Sequence, residues 1–447
     1  METKLSAAAP SDWRVSAIED VCIRVTSGGT PSRSDPSYYS GGTWPWVKTQ
    51  ELRDGWMDDA EEHITDEAVN SSSAKILPQH TILLAMYGAT VGQLGILRRP
   101  MTCNQACSAL IVDPEKADFR FLYYQLLYAR AELRSLATGA AQQNLSGALI
   151  KSLLFPFPSL AEQRAIAHIL GTLDDKIELN LRMSETVEAM ARALFKSWFV
   201  DFDPVRAKAE GRSIGLPKSL ANGFPSQLVD SEHGEIPKGW QIASLSDCIE
   251  VARGLSYKGS GLSGSEDGIP MHNLNSIYEG GGYKHDGIKH YQGDFEAHHV
   301  VCGGDVIVAN TEQGHDRLLI GFAAVVPSRF GPESLFSHHI YRVRRKPGAP
   351  LPPDYLCHLL NSDVMHDIVS GYANGTTVNM LPIDALQRPA IVVPPPAITA
   401  AFNHLAQAMR LRNEEMVEES RSLGALRAAL LPKLISGDIR VPNAVAR

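Results

Sequence analysis

The sequence predicts an α+β chain with a pseudo-two-fold internal repeat. Two similar globular domains are separated by two long antiparallel helices that form a coiled coil. One constant offset lays residues 184–199 on 420–435 without a gap. It also carries Pro158 to Pro394, Ala161 to Ala397, Ile166 to Phe402, Leu173 to Met409, Gly139 to Gly375 and Leu145 to Leu381. Each copy opens on a tryptophan, Trp13 or Trp240, and Trp44-Pro45 is echoed by Ile269-Pro270. Each globular stretch then gives way to a heptad pattern. Two copies of so long a period make two domains, not a solenoid.

Residues 1–12 read as an N-terminal tail. Residues 13–158 form the first α+β domain. Its strand candidates are Thr81-Ile-Leu-Leu-Ala85 and Ser108-Ala-Leu-Ile-Val112, bounded by turns such as Ser27-Gly-Gly-Thr-Pro31 and Ser40-Gly-Gly-Thr43. Residues 118–136 carry Leu, Tyr and Ala at helical spacing.

Residues 159–200 are the first long helix. Ser159 is its N-cap, with Glu162 three residues on as in a capping box. Its seam runs Ile166, Leu170, Leu173, Ile177, Asn180, Ser184, Val187, Ala191, Leu194, Trp198 in alternating steps of four and three. Polar Asn180 and Ser184 at mid-seam are residues that set register at a cost in stability.

Residues 201–238, rich in Pro and Gly, read as a linker able to cross back over the first domain. The second α+β domain spans 239–396, with strands at 305–309 and 321–326 and a helix at 353–370. Ile391-Val-Val-Pro-Pro-Pro396 parallels Leu154-Phe-Pro-Phe-Pro158 and leads into the second long helix, 397–436. That helix keeps one good column, Phe402, Met409, Met416, Leu423 and Leu430. The other holds Asn413, Ser420 and Arg427. Residues 437–447 form a C-terminal tail. Helices of about 36 residues are about 54 Å long, against about 34 Å for a turn of DNA.

Of the chain's 447 residues, 44% are hydrophobic and 21% charged, as in soluble globular proteins. The formal net charge of −8 counts against gripping nucleic acid by overall charge, though it permits a local basic face. No run of about 18 apolar residues predicts a membrane span, and no apolar leader core follows Met1. A cytoplasmic protein is expected. The six cysteines suggest no disulfide framework, and Cys103 with Cys107 lacks a second ligand pair at zinc spacing.

The motifs of catalysis are missing. There is no phosphate-binding Gly-x-x-x-x-Gly-Lys-Ser/Thr loop. Gly259-Ser-Gly261-Leu-Ser-Gly264 matches a dinucleotide fingerprint in letters only, since it neither follows a strand nor opens an apolar helix. Asp201-Phe-Asp-Pro204 lacks the second Pro and the aromatic residue of an amino-methyltransferase, and Asp113-Pro-Glu-Lys116 reads as a solvated turn. The histidines of the second domain (His272, His285, His290, His298, His299, His315, His338, His339) match no ligand spacing.

Base edges are read by Arg, Lys, Asn, Gln, Ser and Thr. Candidates in the first domain are Ser32, Arg33, Lys48, Thr49, Gln50, Thr90, Gln142, Gln143 and Asn144. In the second they are Lys258, Asn273, Asn275, Asn310, Gln313, Arg317, Asn374, Thr376 and Thr377. Tyr341-Arg-Val-Arg-Arg-Lys346 alternates apolar and basic residues as a half-buried strand does, its basic face turned to phosphate or to water.

Nearly the whole chain resembles the specificity subunit of type I restriction–modification systems. The residues that carry the likeness are Pro158-Ser-Leu-Ala-Glu-Gln-Arg164, Asp174-Asp-Lys-Ile177 with Leu179-Asn180, Gly28-Gly-Thr-Pro-Ser32, Pro45-Trp-Val-Lys-Thr49, Tyr87-Gly-Ala-Thr-Val-Gly92 and Leu431-Pro-Lys-Leu-Ile-Ser-Gly437. The second copy, Pro396-Ala-Ile-Thr-Ala-Ala-Phe402, lacks the Glu-Gln-Arg signature.

The resemblance implies that 13–158 and 239–396 are target recognition domains, each reading one half of a bipartite double-stranded DNA target. It implies that the helices set the spacer and dock two methyltransferase subunits, which bind S-adenosylmethionine. Restriction subunits use ATP and magnesium, and this chain itself is non-catalytic and holds no cofactor. The alternatives are a specificity subunit of a methylation-only system, an enzyme in its own right, or a coiled-coil scaffold that does not touch DNA.

Overall fold

The structure, a computed structural model, describes residues 3–4, 10–138, 144–264, 267–314, 316–375 and 378–441. The chain divides into two compact units. One is Met1–Asn180 with Glu418–Arg447, and the other is Leu181–Val417. Each long helix therefore gives half its length to each unit. The helices are Leu160–Phe199 and Pro396–Ile435, each of 40 residues.

The first unit is built on a five-stranded sheet in the order Cys22–Ser27, Cys107–Val112, Ile82–Ala85, Leu94–Leu97, Trp56–Met57. Ile82–Ala85 is buried throughout because the sheet is covered on both faces. Successive side chains alternate sides. Ile82 and Leu84 pack with Phe121, Leu122 and Leu126 of the helix Phe119–Tyr128, while Leu83 and Ala85 pack with Val47, Leu97 and Cys103 on the other side.

The second unit repeats this plan. Its four-stranded sheet runs Ile249–Arg253, Ile340–Arg345, Val306–Ala309, Ala323–Val325. Val306 and Val308 face one core, and Ile307 and Ala309 the other. The entry and exit strands pair alike in both units: Arg14–Ala17 is antiparallel to Leu153–Phe157, and Gln241–Ser244 is antiparallel to Ala390–Val393.

The expected helix over 118–136 is two helices, Phe119–Tyr128 and Arg130–Thr138, and that over 353–370 is Pro353–Leu360 and Asp363–Ser370. Segment 201–238 is more than a linker. It holds the helices Asp203–Ala209 and Lys218–Ala221 and the hairpin Leu228–Ser231 with Gly234–Pro237. Phe202, Val205 and Phe224 bury themselves in the second unit's own core, so the apolar content of the segment decides its course.

Within each unit the long helices pair antiparallel. In the first, Asp174 faces Arg427 at 2.6 Å, while Asn180 donates to Glu419 Oε2 at 2.8 Å and to Ser420 Oγ at 3.3 Å. In the second, Asn413 donates to Glu188 at 2.6 Å, and Phe402 meets Phe195 and Phe199 at ring distances of 5.5 and 5.4 Å.

Every polar residue in the weaker column thus finds a polar partner on the facing helix. Ile166, Leu170, Phe402 and Met416 are buried, while Leu173, Ile177, Val187, Leu194, Met409, Leu423 and Leu430 are half-buried. The periodic reading left out Phe195, buried beside the seam. Ser159 Oγ accepts from Glu162 N, the first half of a capping box. The Glu162 carboxylate pairs instead with Arg440 at 2.8 Å. No helix among the described residues is long and apolar enough to cross a membrane.

Phe402 is fully buried and touches Phe195, Trp198, Phe199 and Tyr355. Phe402→Ala should cost about 3–5 kcal/mol. In urea titration followed by tryptophan fluorescence, the transition reporting on Trp198 and Trp240 should move to lower denaturant.

Candidate nucleic-acid interface

Each unit carries one loop face held by the same set of backbone hydrogen bonds. In the first unit Gly29 N donates to Cys103 O at 2.9 Å, Asn104 N to Val47 O at 2.9 Å, and Met86 N to Ala106 O at 2.9 Å. Cys107 N closes the turn on Asn104 O at 3.2 Å, and Leu145 N donates to Met86 O at 2.9 Å. In the second unit the corresponding bonds run from Leu255 N to Phe336 O at 2.8 Å, Ser337 N to His272 O at 2.9 Å, and Asn310 N to His339 O at 3.1 Å. Ile340 N closes on Ser337 O at 3.1 Å, and Leu381 N donates to Asn310 O at 2.8 Å.

A short parallel strand pair sits behind each face: Trp44–Val47 with Thr102–Cys103, and Ile269–His272 with Ser334–Phe336. A 3₁₀ turn follows the first strand of each pair, Thr49–Glu51 or Leu274–Ser276. Gly28 and Gly254 let backbones meet, since a Cβ would stand 2.1 Å from Cys103 O in one and 2.2 Å from Ser337 O in the other.

In the first unit this frame gathers Ser32, Arg33, Lys48, Thr49 and Gln50 with the Tyr87–Thr90 turn and Asn144, which bridges to Tyr87. Arg33 lies 4.4 Å over Tyr39 and 5.0 Å over Trp46 and pairs with Glu62 at 2.6 Å. Lys48 reaches Glu61 and Glu62, each at 3.1 Å. The hydrogen bonds of Arg33 and Lys48 hold the Glu62 carboxyl below its ordinary range. Ser32 Oγ bonds Ser34 Oγ at 2.7 Å, Thr90 Oγ1 donates to Tyr87 O at 3.2 Å, Thr49 is buried and Gln50 is exposed.

In the second unit Lys258, Asn275, Gln313, Arg317 and Asn374 are exposed. Asn273 and Asn310 are buried and spent on the frame. Asn273 donates to Gly287 O at 2.6 Å and accepts from Asn275 N at 3.0 Å, and Asn310 donates to His338 O at 3.0 Å. Gln142, Gln143, Thr376 and Thr377, with His315, lie outside the described residues.

The alternation in 341–346 is that of a strand, Ile340–Arg345, but its arginines are engaged within the unit. Arg344 pairs with Asp305, and Arg342 donates to Val300 O. The residues at the tips of the closing turns, Gln105 with Ala106 and His338 with His339, were not among the sequence candidates. Only the alignment of the two frames brings them out.

The lost Glu-Gln-Arg signature is explained by the same alignment. Gln163 Oε1 accepts from Asp118 N at 3.0 Å, and in the second unit Asn403 Oδ1 accepts from Asp354 N at 3.0 Å. The anchoring amide sits one helical turn further along in the second copy.

Fold and face together define a chain with two loop-bearing recognition heads on a common frame. Residues 10–189 match the type I restriction modification DNA specificity domain. Over 97% of its length the chain is 27% identical to the type I restriction enzyme MjaIX specificity subunit of Methanocaldococcus jannaschii, covering 94% of that protein. It is 26% identical over 152 residues to the EcoR124I/EcoR124II specificity subunit of Escherichia coli, 33% of this chain and 37% of that one. The solved S subunit of a type I restriction–modification system from M. genitalium shares the fold, with a TM-score of 0.61 at 15% identity, covering 97% of this chain and 99% of the other. The chain is thus similar along nearly its whole length to specificity subunits of type I restriction–modification systems.

The second unit also holds a buried histidine, His272, and a half-buried one, His358, both kept neutral. Burial, then Arg329, pushes His272 down to about 3, its ring held by Tyr283 and Ser334 at 2.9 and 3.0 Å. Burial, then Arg192, pushes His358 down to about 4. In the unfolded chain these rings take up protons below about pH 6.5, so the second unit loses stability as pH falls from there toward 4 and 3. Amide exchange around His272 and His358, corrected for intrinsic rate, should quicken several-fold between pH 7 and pH 5.

Proposed function

We propose that this chain is the non-catalytic DNA sequence-recognition subunit of a type I restriction–modification complex. Each head reads one half of a bipartite target. The carrying observation is the pair of matching backbone frames whose exposed side chains differ. A common scaffold with different residues at its rim suits two different half-sites.

The candidates that keep accessible surface act at the bases or phosphates: exposed Ser32, Arg33 and Gln50 with half-buried Lys48 and Thr90 in the first head, and exposed Lys258, Asn275, Gln313, Arg317 and Asn374 in the second. Buried Thr49, Asn273 and Asn310 position the loops. Gln142, Gln143, Asn144, Thr376 and Thr377 belong to the same proposed set.

The paired helices, each about 60 Å long by their residue rise, serve as the ruler for the unread spacer. Exposed Leu181 and Met190 on the first and Leu405, Leu411 and Leu426 on the second offer apolar surface to two methyltransferase subunits. Those subunits supply S-adenosylmethionine, and restriction subunits supply the ATP- and magnesium-dependent steps. The formal charge of −8 fits a chain that contacts DNA through local faces while its partners contribute the bulk of the phosphate contacts.

The test is a competition binding assay with the chain assembled on its methyltransferase partner. The target is identified by mapping methylated adenines in host DNA. The complex should prefer that duplex by at least about 10³-fold over a scrambled one, and equal binding would refute the reading. Lys48→Ala should weaken binding across sequences and lower the salt slope by about 0.9. Replacing residues 13–158 by another family head should change one half-site and leave the other.

A further inference from the structure

The two heads differ most plainly at the tip of the closing turn of the frame. The first head presents Gln105 and Ala106 there, and the second presents His338 and His339. His338 is exposed and His339 half-exposed. Their ring centroids lie 3.9 Å apart.

His338 Nδ1 lies 3.3 Å from Leu255 O, and a carbonyl only accepts, so this nitrogen carries the ring proton. The other nitrogen, Nε2, is then an acceptor in the neutral ring and a donor once the ring is charged. His339 Nδ1 lies 3.1 Å from Thr311 Oγ1, a hydroxyl that can donate or accept, so this contact anchors the ring without fixing which nitrogen carries its proton.

The groups packed around the turn are cationic or neutral. Lys289 donates to Tyr257 OH at 3.0 Å, and the Tyr257 ring stands 6.0 Å from that of His338. Burial, then the charges of His338 and Lys289, holds His339 below the ordinary histidine range. In the free protein this crowding disfavours two charged rings. An electron-rich acceptor placed against the turn reverses the balance.

Resting on the proposed reading of the chain, we infer that the His338–His339 turn contacts the second half-site in its protonated form, donating to acceptor atoms of the DNA. Those acceptors are purine N7 or guanine O6 in the major groove, or phosphate oxygens. Binding then takes up protons. Affinity is highest at acid pH and falls as pH rises through the histidine range, by up to about tenfold per pH unit for one linked proton. The first head, with Gln105 and Ala106 in the same turn, has no such dependence.

The experiment measures anisotropy of the methyltransferase-assembled chain on its mapped target from pH 6.0 to 8.5 at fixed ionic strength. The double variant His338→Gln with His339→Ala copies the first head's turn. It should flatten the pH profile while the first half-site is still read. A changed second half-site in the methylation map identifies a base contact. An unchanged half-site with a salt slope lower by about 0.9 identifies a phosphate contact.

The converse variant, Gln105→His with Ala106→His, should bring pH dependence to the first half-site. It keeps the test open should the first variant misfold, which circular dichroism reports. A wild-type complex that discriminates its target, with both variants keeping its pH profile and half-sites, overturns this inference alone. A wild-type complex that discriminates nothing overturns the reading on which it rests.

Discussion

The backbone frame of the loop face is the constraint on which both heads depend. Its bonds join main-chain donors to main-chain acceptors, so they are indifferent to the side chains they carry. Gly29, Val47, Met86 and Cys103 occupy the frame in one head, and Leu255, His272, Asn310 and Phe336 in the other, with bond lengths that match within a few tenths of an ångström. Side chains are fixed only where the frame demands it. Gly28 and Gly254 are such places, because a Cβ there would overlap a carbonyl oxygen. Elsewhere the rim differs between the heads, which suits the proposed use of one scaffold for two recognition surfaces.

The helices solve a related problem. An apolar seam alone tolerates sliding by a heptad, and specific polar pairs across it do not. Asn180 against Glu419 and Ser420, Asp174 against Arg427, and Glu188 against Asn413 each match a particular pair of positions. Arg427 also illustrates the cost of burial. Its charge is held by Asp174, which in turn accepts from Tyr124 OH at 2.6 Å, so the pair is tied into the first head's own helix. A fixed register is also what the proposed ruler for spacer length requires.

Much of this was legible in the sequence, and the failures have physical causes. The repeat, the long helices and the central strands follow from periodicity, because Ile82–Ala85 and Val306–Ala309 are apolar on both faces. The polar column of Asn413, Ser420 and Arg427 looked like a defect only because its partners sit far off in sequence. The signature carried by Gln163 seemed lost in the second copy, yet Asn403 performs the same task a turn later, a shift that an ungapped comparison cannot show. Composition marked residues 201–238 as a linker, whereas Phe202, Val205 and Phe224 commit it to the second core. Among the site residues, type alone could not separate exposed Asn275 from buried Asn273. Nor could it point to Gln105, His338 and His339, which are defined by a turn closed between distant strands.

The central claim is that the same face of each head meets DNA, each on its own half-site. The most direct measurement places a photo-crosslinking residue at position 105 in one preparation and at position 338 in another, each assembled with its methyltransferase partner on the mapped target. Crosslinks from 105 confined to one half-site and from 338 to the other are the predicted result. Crosslinks that fall in the spacer, that reach the same half-site from both positions, or that fail to form while the complex is bound would contradict it.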